Sequence, residues 1–348
     1  MKFLLLATGG TIASVPSERG LAPGLSGEKL LEACPLLMGF DHDVEVVDVF
    51  SKDSSNMTPA DWLTLADAVR RRGGACDAVV VPHGTDTLAW TASALSYLLH
   101  DVSVPVVLTG STRPPGDVGS DAGDNVYAAF QFALQLALYK RRGVTVAFAD
   151  ALIHGPKAVK IDSRRKKAFA SVDYPLLGEM QDKTSHKIAW LTPHTPKLSS
   201  SRPWGDSPLF ETNIALAPLF PGMKAVSLDA LAASGPKAVV LEAYGLGGVP
   251  SAEDRENLLG PIARAAAAIP VILRTQSPFG GTDPSLYEVG RKALDLGALS
   301  AGNMTREALM TKLMLLLPHF GRADELAARL SENLCDEQGT GPVISSGA

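Results

Sequence analysis

The chain has 348 residues, with 32 Lys+Arg against 37 Asp+Glu for a formal charge of −5, and 46% of it is apolar. That apolar fraction supplies a large core and excludes an intrinsically disordered chain, while the mild acidity counts against a nucleic-acid partner, whose footprint is basic. Three widely spaced cysteines (Cys34, Cys76, Cys335) make neither a disulfide framework nor a CxxC metal site, and they fit a reducing compartment.

In chain order, Met1–Ala7 resembles the start of a secretory signal, but its apolar run is shorter than the roughly 7–15 residues such a segment needs. Lys2–Ala7 reads instead as a buried strand ending in the glycine turn Thr8-Gly9-Gly10-Thr11. Thr58-Pro59-Ala60-Asp61 opens a helix with a capping residue, proline at the first helical position and an acid at the third. That helix carries Trp62, Leu65, Ala66 and Val69 on one face and ends in Arg70-Arg71-Arg72-Gly73-Gly74. Strands are predicted over Ala78–Val81, Val104–Leu108 and Val144–Ala149, with helices over Leu88–Leu99 and Asp121–Arg142. Continuous apolar strands separated by helices indicate a parallel sheet covered on both faces.

The stretch 191–208 holds four prolines and four serines with no hydrophobic period and reads as a linker. Alternation then resumes, with strands over Ala238–Ala243 and Val271–Leu273 and helices over Ala252–Ala268, Leu286–Leu296 and Arg306–Leu317. The organisation expected is a larger N-terminal α/β domain over 1–190, of flavodoxin or Rossmann type, the linker, and a smaller α/β domain over 209–348. No apolar run of about 20 residues is present, so no membrane-spanning segment is expected.

Ligands bind beyond the carboxyl ends of such strands. Four segments follow predicted strands: Thr8–Thr11, His83-Gly84-Thr85-Asp86-Thr87, Thr109–Arg113 and Asp150–Lys160. Adjacent Gly9 and Gly10 do not make a GxGxxG fingerprint, and neither a phosphate loop nor a GxSxG elbow is present. Thr11 reads as a turn threonine or as a nucleophile flanked by glycines. Asp86 or Thr87 reads as a helix cap, or Asp86 as an ionised group for a substrate ammonium while the helix N-terminus offers N–H donors to an oxyanion. His83 reads as a turn histidine bonded to backbone. Asp53, Ser54 and Ser55 are loop polar groups or donors to a small carboxylate. Lys160 stands apart from the basic run Arg164–Lys167 because apolar Val159 and Ile161 flank it, which suits a partly buried ammonium. The seven histidines show no HxH or HExxH pairing, Asp41-His42-Asp43 reads as a surface turn, and no metal or cofactor is expected.

Ala7-Thr8-Gly9-Gly10-Thr11-Ile12-Ala13-Ser14 together with His83-Gly84-Thr85-Asp86-Thr87 resembles the two signature motifs of bacterial-type L-asparaginases. The likeness continues through Asp53-Ser54-Ser55-Asn56-Met57-Thr58-Pro59, Val107–Ser111, Ile153–Lys160, Ala168–Ser171, Val239–Gly245 and Gly302–Ala308, and it looks like the cytoplasmic type I branch. The resemblance implies a nucleophile at Thr11, a second threonine, Thr85, linked to Asp86 and Lys160, and substrate contacts from Asp53, Ser54, Ser55, Thr85 and Asp86. The reaction implied is hydrolysis of L-asparagine to L-aspartate and ammonia through a β-aspartyl ester, in a homodimer or homotetramer; composition, not the resemblance, leads to the expectation of no nucleic acid or membrane partner. Leu21 departs from the pattern, standing where many members carry a tyrosine that bonds the nucleophile. Gly20, Pro23 and Gly24 still suit a lid hinge. A mixed glutaminase-asparaginase and a non-catalytic amino-acid sensor are the alternatives. The amidotransferase relatives normally carry additional N-terminal sequence, which is not expected before a strand opening at Lys2.

Overall fold

The computed structural model describes every residue except Arg19, 184–186, 192–195, 253–256 and 340–348. The chain divides into two compact units, Met1–Ser200 with Leu334–Asp336, and Ser201–Asn333 with Glu337 onward.

The first unit runs β1 (Lys2–Gly9), β2 (Ser14–Ser17), β3 (Gly20–Pro23), α1 (Gly27–Glu32), β4 (Asp43–Lys52), α2 (Pro59–Arg72), β5 (Ala78–Pro82) and α3 (Leu88–Leu98). It continues through β6 (Pro105–Thr109), α4 (Ala122–Leu138), β7 (Gly143–Phe148), β8 (Ala151–His154), β9 (Ala158–Lys160), β10 (Phe169–Ser171), β11 (Gly178–Asp182) and β12 (Lys187–Trp190). Eight strands form one sheet in the order β12-β11-β8-β7-β6-β5-β1-β4. The five from β4 to β7 are mutually parallel, and β8, β11 and β12 extend one edge antiparallel. Phe3, Leu5, Ala7, Val80 and Val107 share one buried cluster with Tyr127, Phe130 and Ala133 of α4. The alternate residues Leu4, Leu6, Val79 and Val81 are equally buried, so a helical layer covers both faces of the parallel part.

The local chemistry explains the elements. Thr58 and Asp61 close a capping box around the start of α2, with Pro59 at its first position. Helix α4 stops at Leu138, short of the expected Arg142. Lys140 takes φ 52° and Arg141 N–H reaches back to the Leu136 carbonyl at 2.8 Å, a Schellman-type end built without the usual glycine. Asp43 opens β4 instead of lying in a surface turn. This strand escapes the sequence reading because Asp43, Glu45 and Asp48 interrupt its valines, as suits a half-buried edge strand.

The second unit holds β13 (Ile214–Pro218), α5 (Ala225–Ala233), β14 (Ala238–Ala243), α6 (Leu259–Ala266), β15 (Val271–Thr275), α7 (Glu288–Asp295), β16 (Leu299–Ser300), α8 (Arg306–Leu316) and α9 (Ala323–Ser331). Its four strands form a parallel sheet in sequential order, with a core of its own around Val239, Leu241, Ile262 and Leu273. Of the helix expected over Ala252–Ala268, Leu259–Ala266 is helical, and 253–256 lie outside the described residues.

Lys312 and Glu337 form a fully buried ion pair in this unit, with Nζ to Oε1 at 2.6 Å. The ammonium also donates to the carbonyls of Leu330, at 2.9 Å, and Glu332, so its three protons meet three acceptors. Removing the cation takes one ion-pair partner from a fully buried carboxylate, whereas removing both charges does not. Lys312→Met is expected to lower unfolding stability by about 3–5 kcal/mol. The double variant Lys312→Met/Glu337→Leu should recover much of that loss in the same denaturant titration.

Candidate active site

In chain order the parallel strands of the first unit lie 2-1-3-4-5, the flavodoxin arrangement, so connections diverge between β1 and β5 and open a crevice at their carboxyl ends. Glycines bring three loops together there. A Cβ on Gly10 would lie 2.2 Å from Gly84 Cα, and one on Gly84 would lie 2.5 Å from Ser54 Cβ. Gly10 also has φ 78°, and its N–H bonds the Lys52 carbonyl at the end of β4 at 2.8 Å. Backbone this close admits no side chain, so the turns bearing Thr11, Thr85 and Ser54 converge.

Thr85, Asp86 and Lys160 are joined directly. Lys160 Nζ donates to Thr85 Oγ1 at 2.9 Å and to Asp86 Oδ1 at 2.6 Å. Thr85 is buried, the Lys160 side chain is 20% exposed and Asp86 is 62% exposed, so the carboxylate faces solvent while the amine is shielded. The capping reading of this turn does not hold. Thr87 occupies the N-cap position of α3 without a side-chain cap bond, and its hydroxyl donates to the Ser54 carbonyl at 2.8 Å. Ser54 is buried, and its Oγ accepts from Asp86 N–H at 3.3 Å. Asp53 and Ser55 are exposed, with Asp53 Oδ1 accepting from Ser55 N–H at 2.8 Å. Thr11 is half-buried at the start of a 3-10 turn, and among the described residues its hydroxyl has no hydrogen-bond partner. Leu21 lies in β3 opposite Pro16, 55% exposed and without a polar atom to offer.

Lys160 reaches the site by a longer path than its sequence position implies. The chain leaves β7 through Ala149 (φ 46°) and Asp150 (φ 69°), a two-residue hairpin turn that sends β8 back antiparallel. It then returns beside α3, where a Cβ on Gly155 would lie 2.7 Å from Ser96 Oγ. Strand β9 follows, paired with β10 so that Lys160 faces Phe169, and delivers the amine to Thr85 at the opposite end of α3.

His83 is structural. It is fully buried, its Nδ1 lies 2.7 Å from the Gly84 carbonyl, and its Nε2 lies 3.0 Å from Thr91 Oγ1, which also accepts from Trp62 Nε1 at 3.1 Å. This chain of bonds is self-consistent with a neutral ring that donates from Nδ1 and accepts at Nε2. Burial pushes the imidazole down to about 4, despite the carbonyl bond. The Trp62–Thr91 support escapes the sequence reading; its only signal there is a core-facing indole that needs an acceptor.

The N-terminal asparaginase family model matches residues 2–193 and the glutaminase/asparaginase C-terminal domain model matches 213–329. An L-asparaginase of Thermococcus kodakarensis is 36% identical over 97% of this chain and 99% of its own. The solved structure of the thermostable L-asparaginase from that organism superposes with a TM-score of 0.87 at 35% identity, covering 97% of this chain and 99% of that one. L-asparaginase I from Vibrio cholerae gives 0.79 at 28% identity, covering 97% and 98%. One of the glutamyl-tRNA(Gln) amidotransferase polypeptides of Aeropyrum pernix is 34% identical over 96% of this chain and 78% of its own length. Fold, hydroxyl-rich crevice and matched sequence define an amidohydrolase. The chain belongs to the asparaginase family.

A histidine held near 4 when folded binds its proton more readily once unfolded, so the unfolded chain carries more protons between about pH 4 and 6.5. Stability from this group is complete above that window and is lost as pH falls through it. Urea titrations should show a loss on the order of 3 kcal/mol from pH 7 to 4 that is absent in His83→Gln. Equal slopes in both proteins would rule out a neutral buried imidazole.

Proposed function

We propose that the protein hydrolyses L-asparagine to L-aspartate and ammonia, with Thr11 as nucleophile. The observation that carries this reading is the Lys160 amine shared between Thr85 Oγ1 and Asp86 Oδ1, at the crevice where the turn bearing Thr11 packs on Gly84. A threonine hydroxyl is a poor nucleophile at neutral pH and needs a proton acceptor. Lys160 Nζ and Thr85 Oγ1 share a hydrogen bond, and it is along this contact that the proton is passed. Thr11 Oγ1 bonds to the side-chain amide carbon, its proton enters this relay, and the relay returns a proton to the departing nitrogen as the C–N bond breaks. Water then cleaves the β-aspartyl ester by the reverse use of the same groups.

Asp86 binds the α-ammonium through its exposed carboxylate, and Ser54, with Asp53 and Ser55 beside it, addresses the α-carboxylate end. Backbone N–H groups near Thr11 and Thr85 stabilise the oxyanion. The β2–β3 hairpin closes over substrate, contributing no acid–base group at Leu21. Three buried thiols suit a cytoplasmic site of action. The assembly proposed is a homodimer or homotetramer, on the family likeness alone.

The amidotransferase relatives favour a second reading, in which ammonia released here serves a partner protein. Free turnover of asparagine by the protein alone separates the two. Ammonia release from asparagine is expected to fall by about 10²–10⁴-fold in kcat for Thr11→Ala, Thr85→Ala and Lys160→Ala. Asp86→Ala, which removes both the carboxylate partner of Lys160 and the ammonium contact, should lower kcat and raise KM. Glutamine, one methylene longer, should be disfavoured by about 10–200-fold in kcat/KM. Full activity in either threonine variant overturns the mechanism.

A further inference from the structure

The loop after β6 backs the catalytic turn. A Cβ on Gly110 would lie 2.6 Å from the His83 carbonyl and 3.2 Å from Thr85 Cγ2, and His83 N–H donates to the Thr109 carbonyl at 2.8 Å. Thr85 therefore sits where this loop allows it to sit. The loop is held from the first turn of α4. Asn125 Nδ2 donates to the Gly110 carbonyl at 2.9 Å and to Asp121 Oδ2 at 3.2 Å. Asp121, itself buried, accepts from the N–H groups of Thr112 and Arg113, each at 3.0 Å.

The other end of the same amide holds a different loop. Asn125 Oδ1 accepts from Ala149 N–H at 3.0 Å. Ala149 and Asp150 form the left-handed turn from which the chain departs toward Lys160, a conformation that costs a non-glycine residue roughly 1–2 kcal/mol and must be held. Lys183 pairs with Asp150 at 3.1 Å and so secures the turn from outside. The amide orientation is determined, because a flip would oppose two acceptors at Gly110 and two donors at Ala149. At 2% exposure Asn125 has no access to substrate.

We infer that Asn125 is a positioning residue, whose single amide sets the loop behind Thr85 and the turn leading to Lys160 in one register, and so fixes the Thr85–Lys160 contact. The inference rests on the catalytic reading above. Asn125→Asp separates this role from general packing. In that variant the ionised carboxylate faces the Gly110 carbonyl and Asp121 and repels both. Once protonated, it regains one acceptor for Ala149 and one donor for Gly110, nearly reproducing the amide.

At neutral pH, Asn125→Asp and Asn125→Ala are expected to lose about 10- to 100-fold in kcat for asparagine, the scale of a small misplacement of reacting groups, with KM within about threefold of wild type. For Asn125→Asp alone, the ratio of its kcat to the wild-type kcat should rise on acidification as the carboxyl protonates, and circular dichroism reports the folded fraction at each pH. A kcat within twofold of wild type in either variant, or a ratio independent of pH in folded Asn125→Asp, overturns the inference. Should the carboxyl variant not fold, Asn125→Ser, which keeps a hydroxyl donor in less volume, takes its place, and wild-type kcat there overturns the inference equally. If wild type fails to release ammonia from asparagine, or Thr85→Ala stays active, the catalytic reading fails instead.

Discussion

The site depends on one contact, the Lys160 amine placed between a buried threonine hydroxyl and an exposed carboxylate. Its value is not stability. With Asp86 62% exposed, an ion pair of this kind contributes at most about 1 kcal/mol, and salt screens it. In the proposed mechanism its value is chemical, because it links the Lys160 amine to the Thr85 hydroxyl along one hydrogen bond. The partners are 75 and 74 positions apart in sequence at the two contacts, so only the tertiary fold can make them.

The fold does this with rigid parts. Five parallel strands with a helical layer on each face present their carboxyl ends as a common edge, and at its switch point the backbone is packed so tightly that Gly10, Gly84 and Ser54 leave no room for adjustment. Behind that edge stand neutral, well-bonded groups. His83 is locked between a carbonyl and a hydroxyl, and Asn125 between two loops. In the proposed mechanism such preorganisation holds Thr85 and Lys160 in place before substrate arrives. The cost is a left-handed alanine at 149 and a histidine kept uncharged by burial.

Much of this is legible in the sequence. Apolar, β-branched runs such as Val79–Val81 suit strands buried on both faces, and Thr58-Pro59-Ala60-Asp61 announces a helix start through capping chemistry that acts locally. The glycine turns and the threonine motif mark the edge that carries the candidate site. Less legible are features whose cause is distant. The antiparallel strands β8, β11 and β12 are short and in part polar, and β11 joins the sheet only by pairing with β8 across the intervening β9 and β10. Thr87 carries every local mark of a helix cap, yet its hydroxyl goes to Ser54, because a tertiary acceptor competes successfully with the helix end. Asn125 looks like one polar residue in an apolar helix, and its partners at 110 and 149 exist only after folding.

The central claim is that an amine at position 160 moves the proton for Thr85. Lys160→Cys with 2-bromoethylamine tests it, since alkylation rebuilds an amine at almost the original reach and the native cysteines are buried, Cys34 with a thiol pushed up to about 12 by burial. The expected result is a kcat lowered by about 10²–10⁴-fold in the unmodified variant and largely restored by aminoethylation, but not by alkylation with a neutral propyl group. A variant that keeps most of the wild-type kcat, or one that the neutral alkyl group restores equally well, would contradict it.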